Sequence, residues 1–96
     1  MKLAITGSRK YEDYEELEKV IKLLAPEATT IITGGAEGAD KLAARYAKAY
    51  NLELVTIRPD YKNQMAKVAP LLRNTTIVNE ADKVITFITD NVAGHP

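Results

Sequence analysis

The sequence predicts an α/β fold in which a four-stranded parallel sheet, in the strand order 3-2-1-4, lies between helices as a three-layer sandwich. Three observations predict it. Four short apolar runs alternate with three stretches of helical periodicity, and the resulting β-α-β-α-β-α-β order suits right-handed crossovers between parallel strands. The first two runs end in glycine, at Gly7 and at Gly34-Gly35, which marks tight turns where a strand feeds a helix. At 96 residues the chain is one domain near the lower limit for a workable core, so these elements use nearly all of it.

Lys2 to Thr6 reads as a buried strand stopped by Gly7-Ser8-Arg9. Asp13 with Glu16 resembles a capping box, and Tyr14, Leu17, Ile21 and Leu24 then share one helical face until Pro26. Thr29 to Thr33 is rich in β-branched residues and gives the second strand. From Ala39, the residues Leu42, Ala43, Tyr46, Ala47 and Tyr50 recur at helical steps, with Asn51 placed as a left-handed stop. Tyr46 and Tyr50 read as packing or interface residues. Leu52 to Ile57 is the third strand, broken by Arg58-Pro59-Asp60-Tyr61. An irregular lead-in from Lys62 precedes a helix over 69–80, whose first turn tolerates Pro70. Lys83 to Ile88 is the fourth strand, so the domain spans 1–88 and a tail 89–96, with the lone His95 in it.

Composition narrows the function classes. No apolar run approaches the ~18 residues that cross a bilayer. Without cysteine, disulfides and thiolate metal sites are excluded, and one histidine argues against an imidazole site; a cytoplasmic location is the expectation. Thirteen basic and thirteen acidic residues cancel, which removes the overall charge of a general nucleic-acid binder and favours a small ligand.

In such sheets ligands sit beyond the carboxyl ends of the strands, at the switch in strand order. There the loop Thr33-Gly34-Gly35-Ala36-Glu37-Gly38-Ala39-Asp40 joins strand two to helix two. Glycines allow close approach of a bound group, and the first helical amides suit a phosphate. The spacing is not that of a dinucleotide fingerprint and no phosphate-loop lysine follows. The same glycines also fit a tight turn with close helix-sheet packing.

Taken together, ITGSR at the first strand, GGAEGAD after the second, RPDY after the third and PLLRN opening the third helix resemble the YspA-type branch of the SLOG superfamily. These are Rossmann-like domains that also include the LOG phosphoribohydrolases and the DNA-processing protein DprA. The likeness spans residues 1 to about 88 and implies a pocket for a nucleotide or a nucleotide derivative of the ADP-ribose kind. It implies no settled reaction. Family domains usually continue past the fourth strand through a Gly-Thr loop, where this chain reads Asp90 to Pro96. That departure weakens a LOG-like glycosidic hydrolysis. It also leaves the fourth strand, with Val84, Ile85, Phe87 and Ile88, at an open edge with one face poorly covered, from which a homodimer is expected.

The expected ligand-binding set is Thr6, Gly7, Ser8, Arg9, Gly34, Gly35, Ala36, Glu37, Gly38, Asp40, Arg73 and Asn74. Each has a plain alternative. Hydroxyls and amides at Thr6, Gly7 and Ser8 can hold phosphate or form a turn. Arg9 can clamp phosphate bidentately or stay solvated. Asp40 can bind ribose hydroxyls, fix the glycine loop, or simply complement the helix dipole. Glu37 can serve as a general base or lie in solvent. Arg73 and Asn74 match the family's Arg-Asn pair, or Arg73 pairs with Asp60 or Asp82; Tyr61 can stack on a base or pack. No resident metal is expected, and magnesium enters only with a nucleotide whose phosphates complete a shell at Asp40 and Asp60. Four functions follow: a nucleotide sensor or carrier, a nucleotide-processing hydrolase, a single-strand DNA binder after DprA, which the balanced charge disfavours, and an interaction module with a vestigial pocket.

Overall fold

The computed structural model describes residues 1–58 and 69–89. The elements are β1 (Lys2–Gly7), α1 (Tyr14–Leu24), β2 (Thr30–Thr33), α2 (Ala39–Ala49), β3 (Glu53–Thr56), α3 (Ala69–Glu80) and β4 (Lys83–Phe87). All strands pair in parallel in the order β3-β2-β1-β4, as the sequence predicts. The expected irregular lead-in from Lys62 falls outside the described residues, and so do residues 90–96 of the tail.

Crossovers that run first one way and then back put α1 and α2 on one face and α3 on the other. Residues alternate along each strand, so Leu3, Ile5 and Ile31 meet Leu17, Ile21, Ala43 and Ala47 on the first face. Ala4 and Ile32 meet Ile77 of α3 on the second. Full burial of each large side chain contributes about 1.5–3 kcal/mol, and among the described residues most of this burial falls on the α1–α2 face. Among the described residues the second core comprises Ala4, Ile32 and Ile77, with Val55, Ile57 and Ala81 packed against it. Val84 and Ile88 stay 41% and 66% exposed while Ile85 and Phe87 are buried, so the four apolar residues of the fourth strand divide between a covered and an open face.

Local chemistry sets the element ends. Asp13 Oδ1 accepts the Glu16 amide at 3.0 Å and starts α1, while the Glu16 carboxylate accepts the Tyr11 hydroxyl (2.5 Å). At the end of α2, Asn51 takes φ 55°; Leu52 N–H then donates to Ala47 O (2.8 Å) and Asn51 N–H to Lys48 O (3.4 Å). This double bond pattern is a Schellman closure. It occupies the Leu52 amide, which is why β3 starts at Glu53 and not at Leu52 as the apolar run predicts. Tyr46 is buried with its ring 4.6 Å from that of Tyr50, and the Tyr50 hydroxyl donates to Glu18, tying α2 to α1.

Candidate functional site

The loops after β1, β2 and β3 and the α3 side chain Arg73 meet at the carboxyl end of the sheet. Ser8 is the first junction. Its amide donates to Phe87 O (2.8 Å), and its carbonyl accepts from Ala39 N–H (3.1 Å) and Tyr11 N–H (3.3 Å). Its hydroxyl oxygen accepts from Lys10 N–H (3.1 Å). One residue thereby ties β1, β4 and α2 together. Thr6 shares a hydroxyl bond with Thr86 at 3.1 Å, so the expected hydroxyls of this turn have partners inside the protein.

Gly38 lets α2 come this close. It takes φ 71°, and a Cβ there would lie 2.2 Å from Ser8 O and 2.5 Å from the Arg9 carbonyl carbon. No side chain fits between the two loops. Of the amides that open α2, Ala39 N–H goes to Ser8 O and Leu42 N–H to Gly38 O (3.0 Å). Those of Asp40 and Lys41 have no acceptor within the helix and point where an anion is favoured.

Asp40 turns inward. Its Oδ2 accepts from Gly34 N–H (3.0 Å) and Ala36 N–H (3.2 Å), and the residue is only 7% exposed. Gly35 N–H donates to Thr33 Oγ1 (3.3 Å). The loop amides thus wrap the chain's own carboxylate, and among the readings open in the sequence Asp40 has the geometry of the loop-fixing one. A phosphate cannot use the Gly34 and Ala36 amides while this carboxylate holds them.

The loop carbonyls point the other way, to arginines. Arg73 Nη1 donates to Gly34 O (2.8 Å), and its Nε donates to Asn74 Oδ1 (2.8 Å), which orients the guanidinium. Arg58 Nη1 donates to Gly35 O (3.3 Å). Glycine at 34 is needed for this: a Cβ would sit 2.1 Å from Arg73 Nη1 and 3.0 Å from Asp40 Oδ2. Of the two carboxylates offered as alternative partners of Arg73, Asp82 Oδ2 accepts from Lys2 N–H (2.8 Å). Asp60 and Tyr61 lie outside the described residues.

On the α2 side of the loop an open cleft of about 600 Å³ runs past Gly38, with Arg9, Lys10 and Lys41 against Glu12 and Glu37. The expected residues therefore divide. Arg9, Glu37 and Gly38 share the cleft; Gly34, Gly35, Arg73 and Asn74 meet on the α3 side; Thr6, Gly7, Ser8, Ala36 and Asp40 build the frame between. Sequence reasoning missed Lys10, Glu12, Lys41 and Arg58. Lys10 and Lys41 neighbour chosen residues, and Arg58 opens the RPDY motif but reads there only as a strand break. Among the described residues no three Asp, Glu, His or Cys side chains converge on a metal position, and no helix is long and apolar enough to cross a membrane.

Residues 1–63 match the family model described as YspA, cpYpsA-related SLOG family. That stretch covers β1 to β3 and the whole glycine loop, whereas Arg73 and β4 lie beyond it. No curated protein and no solved structure matches the chain.

Proposed function

The chain belongs to the YspA, cpYpsA-related SLOG family, and on that premise we propose that it binds a nucleotide or a nucleotide derivative of the ADP-ribose type at the glycine loop. The observation that carries this reading is the cationic cleft at the opening of α2. Arg9, Lys10 and Lys41 outnumber Glu12 and Glu37 there, and about 600 Å³ lies in the range of small-molecule sites. In this reading the Asp40 and Lys41 amides and the Arg9 guanidinium take a phosphate. Glu37 accepts from ribose hydroxyls, and buried Asp40 keeps the loop in shape before the ligand arrives. A magnesium ion would come with the ligand's phosphates, since the described residues offer no cage of their own.

A second reading is a hydrolase of the same ligands, favoured by one observation: Glu12 and Glu37 line one cleft. One, ionised, would take a proton from water as the water oxygen attacks the glycosidic carbon or phosphorus, and the other, as the carboxylic acid, would pass its proton to the leaving group.

The open face of β4 further favours a homodimer through that edge, because Val84 and Ile88 would be covered by a second copy.

Calorimetric titration of AMP, ADP and ADP-ribose, with product analysis, tests the binding reading. One of them is expected to bind, and Arg9→Ala to weaken it at least tenfold, the loss of one charge-assisted contact. Equal affinity in the variant would remove the cleft from the reading. Recovery of the ligand unchanged supports the binding protein; conversion that Glu37→Gln abolishes supports the hydrolase.

A further inference from the structure

We propose that the base of the ligand lies along the outer side of α2, on Leu42 and against the guanidinium of Arg45, so that Arg45 distinguishes a nucleotide from a bare sugar phosphate. The inference rests on the nucleotide reading above and gives the ligand a direction, with the phosphate at the opening of α2 and the base toward its middle.

A second hollow, of about 430 Å³, is lined by Lys41, Leu42, Ala44, Arg45 and Lys48. Lys41 and Leu42 also line the first cleft, so the two adjoin there. Positions 41, 44, 45 and 48 recur at steps of three and four, which puts them on one face of the helix. At ~1.5 Å of rise per residue, Arg45 lies roughly 10 Å along the axis from Gly38, past the amides that take the phosphate.

The two hollows differ in chemistry. Glu12 and Glu37 accompany the cations of the first, whereas among the described residues no carboxylate lines the second. Half-buried Leu42 and Ala44 give it apolar surface. Arg45 differs from the two lysines in being held. Its guanidinium carbon lies over the Tyr14 ring, 4.0 Å from the centroid, a cation–π contact that fixes the group on α1. The residue is still exposed and lines the hollow. A planar, weakly hydrated cation beside apolar surface suits the face of a heterocyclic base, while Lys41 and Lys48 are hydrated point charges without a plane. Because Tyr14 already orders the Arg45 side chain, binding costs little further rotamer freedom. A phosphate would gain from the charges but leave Leu42 and Ala44 uncovered; a ring covers them.

Packing of α1 on α2 alone would also explain the contact of Arg45 with Tyr14, and the two roles differ in what they predict. Loss of a packing contact lowers stability and treats all ligands alike, whereas loss of a base contact removes the difference between ligands with and without a base. AMP, ADP-ribose and ribose 5-phosphate are titrated calorimetrically into the wild type, Arg45→Ala, Arg45→Lys and Arg9→Ala, with circular dichroism on each. The wild type is expected to bind AMP or ADP-ribose more tightly than ribose 5-phosphate by about fivefold or more. That preference should vanish in Arg45→Ala and shrink in Arg45→Lys, with the spectrum unaltered and ribose 5-phosphate affinity close to wild type. Arg9→Ala should weaken all three ligands and keep the preference. Equal affinity for ligands with and without a base in the wild type, or the full preference in Arg45→Ala or Arg45→Lys, would overturn the base position and leave the cleft reading standing. Binding of none of the three to the wild type would remove both.

Discussion

Arg73 Nη1 lies 2.8 Å from the carbonyl oxygen of Gly34, a bond that ties a helix on one face of the sheet to the loop that opens a helix on the other. Among the described residues Ile77 is the α3 side chain buried in the second core, and this bond adds a polar tie to that attachment. Arg73→Ala should cost about 1–2 kcal/mol, the value of a hydrogen bond to a charged group reduced for solvent screening. For a domain this size the melting midpoint would fall by roughly 5–15 °C. Chemical denaturation of the variant checks it, and a midpoint equal to wild type would show the bond contributes nothing net.

Asp40 holds two amides that nothing else would satisfy. Asp40→Ala leaves Gly34 N–H buried and Ala36 N–H half-buried without an acceptor, at about 1–3 kcal/mol each. Asp40→Asn keeps one carbonyl oxygen and should lose roughly half as much. Hydrogen exchange at Gly34 and Ala36 would read the same effect locally, with both amides protected in the wild type and open in Asp40→Ala.

Frame and site differed in how far the sequence disclosed them, for a physical reason. Local periodicity and capping fix α1 through Asp13 and α2 through Asn51, and parallel crossovers leave few strand orders, so the sheet was readable. The loop glycines were readable as close-approach positions as well. What they approach was not, because Arg73 reaches Gly34 across 39 positions of chain. Arg58 likewise meets Gly35 only after β3 has paired with β2. Asp40 illustrates the opposite case. Its three readings were all on the page, and only the direction of its side chain separates them.

The tyrosines of the α1–α2 seam make stability sensitive to alkali. Burial raises Tyr46 above the ordinary phenol value, as it does Tyr14, with Glu18 adding to the latter. The folded state then holds these protons more tightly than the unfolded chain does. Their contribution is therefore complete below the unfolded value of roughly 10 and is lost as pH rises through the folded values. This contribution to the denaturation midpoint should be level between about pH 7 and 9 and decline above pH ~10. Tyr46→Phe should shallow that decline; an identical profile in the variant would contradict the assignment.

If a second copy covers β4, then Val84→Lys, which places a charge on the open face of an edge strand, should shift the protein to monomer in analytical ultracentrifugation without lowering its helical content. A wild type that sediments as a monomer at all concentrations would contradict the dimer.

The central claim is that the glycine loop receives a nucleotide or nucleotide derivative, and a thermal-shift scan against AMP, ADP, ATP, ADP-ribose, NAD and their guanine counterparts tests it most directly. A ligand at ~100 times its dissociation constant adds ~2.7 kcal/mol, which in a domain of this size raises the midpoint by roughly 10 °C or more. The account predicts such a rise for at least one phosphate-bearing member and its loss in Arg9→Ala. A flat scan across the whole panel would contradict it.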